Sequence, residues 1–308
     1  MAENLTTTTQ IDPAVSTYYN RTLLAVAEPV YLHRRFAMQY SVPKKSGNTI
    51  KMRRYARLAL ATTPLTEAVT PNGEKLSKVD ILATPSQYGS FIHISDVVDL
   101  TVEDRELNVG AERLSDQMYA TLDRLTRNVM AATASSTTCS HGSGTATLLN
   151  KTDIDAVVQT MLGNLAQFTT PTIKASTGFA TTPIGRAFWA IAHTDLIDDL
   201  GTVDGVVKVE QYSNSGQAAE NEWCATGNVR WLVTTEGYYS GSNYYCPIIG
   251  KEAYGTVKID GGNMESIIKP WGSGDDPLNQ RMTMGWKLWD VTRIINDNYL
   301  HNLICTNG

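Results

Sequence analysis

The strongest constraint on the fold is one apolar stripe that runs through residues 102–134. Its members recur at steps of four and three, the spacing that puts side chains on one face of an α-helix. Thr101 can cap this helix at its N-terminal end. At 1.5 Å per residue the helix would be roughly 50 Å long, so we expect it to lie along a sheet as a spine. The stripe consists of Leu107, Ala111, Leu114, Met118, Leu122, Leu125 and Val129.

Composition bounds the class of protein. The chain has 308 residues, 42% of them hydrophobic and 19% charged, which suits two packed subdomains. The net charge of −5 argues against a protein that grips DNA along its whole length, because such a protein would usually be basic. We find no secretory signal and no run of about 20 apolar residues. The four cysteines form no Cys-x-x-Cys pair, which indicates free thiols in a reducing cytoplasm.

Two extended runs precede the long helix. Residues 48–57 predict a strand with Ile50 and Met52 on one face, and residues 76–96 predict a second extended run. The segment 59–75 between them is rich in turn residues and has little to bury. We therefore predict a β-hairpin of about fifty residues. Since isolated two-stranded ribbons are marginal in water, it must lean on something, and its length favours another subunit.

The first of these runs is strongly basic. Residues 44–57 contain six basic residues and no acidic one. Three interpretations stay open: contact with DNA, pairing with acidic groups of a neighbouring subunit, or a solvated strand face. The residues to test are Arg53, Arg54 and Arg57. The acidic start of the long helix is a natural counterpart, so the candidate contacts also include Glu103, Asp104 and Glu106.

The rest of the chain reads as mixed α and β structure. A second amphipathic helix is predicted at 153–168, and a short helix at 195–200. Four tryptophans, Trp231, Trp271, Trp286 and Trp289, lie in β-like regions and are expected to pack in the core. Further strands are predicted at 187–192, 206–209, 229–234, 244–249, 282–295 and 299–305.

Motifs that carry chemistry are absent from the sequence. It contains no phosphate-binding loop, dinucleotide-binding motif or nucleophile elbow. Cys139 and His141 fall short of the four ligands of a structural zinc site, and we read them as a surface loop. His193 and Asp195 could be drawn into a triad on paper, but sequence does not give geometry. We predict no catalytic, cofactor or metal site, and a hydrolase is the remote alternative.

The order of elements resembles the Hong Kong 97-type fold of tailed-phage capsid proteins, an α+β class. Several strings are closer still to one branch, the major capsid proteins similar to that of the coliphage N-four. They are spread in order through nearly the whole chain. The strings are Thr49-Ile-Lys-Met-Arg-Arg-Tyr, Pro64-Leu-Thr-Glu-Ala-Val-Thr-Pro71, Gln87-Tyr-Gly89 with Ile94-Ser-Asp96, Ile249-Gly-Lys-Glu-Ala-Tyr-Gly255, and Asp276-Pro-Leu-Asn-Gln-Arg281 with Gly285-Trp-Lys287. The branch more often has Gly where Ala68 stands.

The resemblance implies a division of the chain into the parts of that fold. The N-terminal arm and helix would be 1–45, and the E-loop β-hairpin 46–95. The peripheral domain with its spine helix would be 96–147. A mainly axial domain would be 148–262, and 263–308 would be strands returning to the peripheral domain.

The resemblance also implies a structural role. Copies would form the hexamers and pentamers of an icosahedral phage head around double-stranded DNA, with at most non-specific contact to it. A portal protein would be a partner, and scaffolding and decoration proteins are candidates. The protein would have no enzymatic activity, cofactor or membrane contact, and would assemble in the host bacterial cytoplasm into the virion capsid. The alternative within the same fold is the shell of an encapsulin-type nanocompartment.

Overall fold

The computed structural model describes residues 31–96, 106–140, 144–176, 181–260, 265–270 and 278–308. The predicted N-terminal arm and the helix at 14–27 lie outside these residues. In the described part, two β-sheets and one two-stranded hairpin combine with helices. The strands are β1 Met38–Val42, β2 Ile50–Tyr55, β3 Lys78–Ala83, β4 Ser86–Ser95, β5 Ser136–Thr138, β6 Phe188–His193, β7 Val206–Lys208, β8 Glu222–Thr226, β9 Val229–Thr234, β10 Tyr238–Ser240, β11 Asn243–Ile249, β12 Tyr254–Ile259, β13 Glu265–Lys269, β14 Arg281–Ile294 and β15 Leu300–Cys305. The α-helices are α1 Glu106–Ala131, α2 Lys151–Gly163 and α3 Ile197–Thr202.

Helix α1 is the predicted spine. Leu114, Met118 and Leu122 are buried, as the stripe predicted, and they pack on β14 through residues that include Trp286. Ala111 of the predicted stripe is exposed, and beyond Leu122 the buried face also differs from the prediction. It continues by steps of four to residues 126 and 130, while residues 125 and 129 are half-buried. Each step of four turns the stripe by about 40°, which lets the helix follow a twisted sheet.

The sheet under α1 has five strands. Its order is β1-β12-β14-β13, with β4 paired to β14. The extended run predicted at 76–96 is in fact two strands, because β3 pairs with β2 whereas β4 pairs with β14. The break falls at Thr84-Pro85, where proline has no backbone N–H to continue a ladder. The paired part of the hairpin is therefore shorter than predicted.

The second sheet has eight strands in the order β5-β15-β11-β6-β9-β8-β7, and β10 pairs with β11. Strand β9 occupies the predicted residues 229–234. Helix α2 contributes Ile154 and Met161 to the core of this sheet, beside the buried Trp231. Trp231 and Trp286 thus lie in separate cores, Trp289 is half-buried, and Trp271 is outside the described residues.

Ionic and polar contacts join the segment before β1 to helix α1 and to the five-stranded sheet. The His33 ring nitrogen Nδ1 lies 2.7 Å from Asp123 of α1. The Arg34 guanidinium donates two hydrogen bonds to Asp290 of β14, at 2.8 and 2.5 Å. Tyr254 of β12 donates a hydrogen bond to the His33 carbonyl. Segment, helix and sheet are thereby fixed to one another.

Candidate assembly surfaces

The hairpin β2–β3 is anchored at its base. Met52 of β2 and Ala83 of β3 are buried against Val42 of β1 and Val257 of β12. Ile50 packs partly against the same cluster, so the predicted apolar face is confirmed. Two short strands make a marginal ribbon in water, and burial of one face on the five-stranded sheet stabilises it.

The basic face of the hairpin is partly neutralised within the hairpin itself. The antiparallel register sets Arg53 opposite Asp80. Arg53 Nε donates a hydrogen bond to Asp80 Oδ1 at 2.7 Å, and Lys51 Nζ lies 3.7 Å from Asp80 Oδ2. The hydrogen bond from Arg53 lowers the pKa of the Asp80 carboxyl. Sequence reasoning missed Asp80, although strand alternation in residues 76–96 could have paired it with Arg53.

The other candidate contacts are spread over different surroundings. Arg54 is half-buried on β2, and Arg57 is exposed just beyond it. Glu106 is the first residue of α1. Glu103 and Asp104 lie outside the described residues. The proposed pairing of this basic strand with the acidic helix start therefore stays a prediction.

The segment that closes the hairpin exposes apolar side chains. Every residue from 56 to 80 is exposed. Leu65 is 78% exposed, Leu60 69% and Leu76 68%. Fully burying one leucine is worth about 1.5–3 kcal/mol, so several exposed leucines on a protruding loop strongly favour a partner surface.

A second uncovered surface lies on the face of the five-stranded sheet that points away from α1. Strands β4, β13 and β14 form there a recess of about 560 Å³. Phe91 lines it and is 61% exposed. Gly285 lets β14 approach β4 closely beside this recess, because a Cβ there would lie 2.8 Å from Phe91 Cβ. Both this face and the hairpin loop thus present apolar groups to solvent.

The Cys and His side chains that could take part in catalysis are instead buried in the core or capping a turn. Burial raises the pKa of Cys224 to about 12, which disfavours the nucleophilic thiolate. His193 accepts a hydrogen bond from the Asp195 backbone N–H, and its Nδ1 lies 3.2 Å from the Asp195 carboxylate. His193 is therefore the cap of the short turn that follows β6. Within the described ranges, no cluster of His, Cys, Asp and Glu is arranged to hold a metal ion. His141 is outside those ranges.

Comparison with known proteins gives structural matches only. No family model and no curated protein matches the sequence. The capsid of Ralstonia phage GP4 matches with a TM-score of 0.69 at 12% identity, over 96% of this chain and 96% of that chain. The capsid of cyanophage P-SCSP1u matches with a TM-score of 0.65 at 11% identity, over 100% and 97% of the two chains. The chain has the Hong Kong 97-type fold. The predicted α+β class and fold are thereby confirmed.

This Hong Kong 97-type fold is not restricted to phage heads. The holo-SrpI encapsulin complex from Synechococcus elongatus matches with a TM-score of 0.58 at 9% identity, over 98% of this chain and 96% of that chain. The fold is therefore shared by phage capsids and by an encapsulin. None of the described helices has both the length and the apolar character needed to cross a membrane.

Proposed function

We propose that this protein is the major capsid protein of a tailed phage, and that it assembles into the hexamers and pentamers of an icosahedral head around double-stranded DNA. The observation that carries the proposal is the hairpin loop, residues 56–77, which is exposed throughout and contains several leucines. In a monomer these exposed leucines contribute no burial energy to the stability of the fold. In a closed shell each copy can bury its loop on an adjacent copy, and symmetry repeats the contact many times.

The division of the chain follows the resemblance. The arm and helix are 1–45, the E-loop 46–95, the peripheral domain 96–147, the mainly axial domain 148–262, and the returning strands 263–308. The packing of α1 on β14 supports the assignment of the spine. The ordered series of strings from residue 49 to residue 287 supports membership of the N-four-like branch.

The candidate intersubunit contacts belong to the same proposal. Arg54 and Arg57 approach the acidic start of the long helix of an adjacent copy, at Glu103, Asp104 and Glu106. Arg53 lies on the opposite face of β2 from Arg54, where it contributes positive charge while it holds Asp80. A portal protein and, as candidates, scaffolding and decoration proteins complete the assembly, which forms in the host bacterial cytoplasm and becomes the virion capsid. The protein acts by association and has no catalytic role.

Two variants of the hairpin test this function. Deleting residues 59–75 removes the exposed loop but leaves the buried base, so we expect a folded subunit that no longer forms shells. Replacing Arg54 and Arg57 by Glu reverses charges at the contact, so we expect weaker assembly at low salt and a smaller defect at high salt. Size-exclusion chromatography and electron microscopy measure the products. Shells of normal size from the deletion variant would contradict the proposal.

An encapsulin-type compartment is the second candidate, favoured by the match to the SrpI complex. Such a shell would hold a cargo enzyme instead of a genome. Particles purified from infected cells distinguish the two, because nuclease-protected DNA inside them supports the phage head and a co-purifying enzyme supports the compartment.

A further inference from the structure

A basic groove opens at one end of the eight-stranded sheet. It is a cleft of about 860 Å³ between the end of α2, residues 166–172 and the turn after β11. Lys174, Arg186 and Lys251 line it. A second recess of about 420 Å³ continues from Lys174. No carboxylate is found among the described residues that line either part.

The three cations of the groove have exposed side chains and form no ion pair with any described carboxylate. Two other arginines of the chain are neutralised by a carboxylate within the subunit. Arg34 is bound to Asp290, and Arg230 is bound to Glu222. The groove therefore concentrates positive charge that the subunit leaves uncompensated, in a chain whose net charge is −5.

Each cation of the groove is attached to a fixed stretch of backbone. The Asn228 side chain donates a hydrogen bond to the Arg186 carbonyl at 2.8 Å. The Lys251 backbone N–H donates to the Gln167 carbonyl at 3.1 Å. The Ser213 hydroxyl donates to the Lys174 carbonyl. These hydrogen bonds fix the distances between the backbones of the three residues, while their charged groups remain available for binding.

Besides the three cations, the groove is lined by apolar side chains such as Leu162 and Phe168, and by neutral hydrogen-bonding groups. Such hydroxyls and amides, together with Lys and Arg, are the groups that contact phosphate oxygens and sugars in nucleic-acid complexes. Neither recess offers the acidic groups that a cationic partner would need. The polar members are Gln167, Thr169, Thr170, Thr172, Ser176, Ser213, Asn214 and Gln217.

We propose that this groove binds the phosphodiester backbone of nucleic acid without regard to sequence. An extended polyanion matches a groove with spaced cations, and contact with the backbone alone carries no base specificity. The identification of the ligand as packaged DNA rests on the proposed function, in which the shell encloses double-stranded DNA. The groove then supplies a local attraction in a subunit that is acidic as a whole.

The test uses the full-length chain in unassembled form and a fluorescently labelled DNA duplex of about 30 base pairs. The groove variant carries Lys174→Gln, Arg186→Gln and Lys251→Gln. The control variant carries the same change of charge at exposed residues outside the groove, Lys151→Gln, Lys208→Gln and Arg293→Gln. Fluorescence anisotropy over a range of salt concentrations gives the affinity and its salt dependence. Thermal unfolding checks that both variants are folded, and a Lys→Arg variant at 174 and 251 retains the charge.

Loss of three phosphate contacts should reduce the slope of log K against log salt by about 2.7, because each contact contributes about 0.9. We expect this in the groove variant only, with the charge-retaining variant close to the original protein. Equal losses in groove and control variants would overturn the proposal, since net charge alone would then explain binding. DNA binding that persists while the groove variant stops assembling would also overturn it, and would assign the groove to an acidic surface of a second copy.

Electron microscopy of the unaltered protein keeps the two proposals separate. If it forms no shells but the groove variant loses the DNA contact, the shell function fails and the groove stands. If shells form and the salt slope of the groove variant is unchanged, the groove fails and the shell function stands.

Discussion

Replacing Glu222 by Gln should test how the eight-stranded sheet tolerates a buried charge. Glu222 of β8 and Arg230 of β9 form an ion pair at 2.5 Å, with their side chains 0% and 2% exposed. The hydroxyl of Tyr212 also donates to the carboxylate, at 2.7 Å. On its other side the Arg230 guanidinium stacks over the Trp189 ring at 4.6 Å. The Gln side chain keeps the size of Glu but removes the negative charge.

The expected cost follows from the burial of the partner. Breaking a buried pair leaves an uncompensated charge, which typically destabilises a protein by about 3–5 kcal/mol. The guanidinium of Arg230 has no route to water at 2% exposure. With about 2–4 °C of melting temperature per kcal/mol in a large domain, the fall in Tm should be roughly 6–20 °C.

Thermal and urea unfolding, followed by circular dichroism and by tryptophan fluorescence, measure this cost. All proteins are compared unassembled at one concentration, because association itself stabilises the folded state. Glu210→Gln is the matched control, since Glu210 is exposed and should change stability by less than about 0.5 kcal/mol. A double variant, Glu222→Leu with Arg230→Met, should recover much of the loss because both charges leave together. A Glu222→Gln protein within about 1 kcal/mol of the original, or a double variant no better than the single one, would refute the reasoning.

Two further predictions concern β14 and β15. Gly285→Ala should destabilise the protein by about 1–3 kcal/mol, because its Cβ would lie 2.8 Å from Phe91 Cβ and 2.9 Å from the Ser90 carbonyl. Gly73→Ala meets no atom within 4 Å and is the control, so equal urea midpoints for the two variants would contradict the steric reading. Burial lowers the pKa of His301, so its contribution to stability is present above about pH 6.5 and is lost as the pH falls below that value. The drop in Tm between pH 7.5 and pH 5.5 should shrink in His301→Gln, and an unchanged drop would argue against this assignment.

Local periodicity was sufficient for the elements that bury one face. The apolar stripe predicted α1, and simple alternation predicted that Ile50 and Met52 share the packed face of the hairpin. The strand predicted at 229–234 is β9. For α1 and the hairpin the side-chain pattern reports burial directly, because one face of the element meets the core, whereas β9 is buried on both faces.

Pairings between distant segments could not be predicted in the same way. The parallel pairing of Met38–Val42 with Tyr254–Ile259 joins segments far apart in the chain, and neither carries a signal for the other. The split between β3 and β4 depends on β14, which supplies a partner for β4. The basic groove was missed for the same reason, since its three cations come from separate segments that meet only in the folded sheet.

The pairing of β1 with β12 also determines when the nascent chain can complete the five-stranded sheet. Strand β1 leaves the ribosome about 200 residues before its partner is made, a delay of roughly 10–40 s at ~5–20 residues per second. Until then Met52 and Ala83 at the foot of the hairpin lack Val257, one of the residues that cover them. An unfinished polypeptide therefore holds its hairpin loosely. Because β12 pairs with β14, and Val291 of β14 packs against the same cluster, only the synthesis of both strands lets a subunit present the loop firmly to a neighbour.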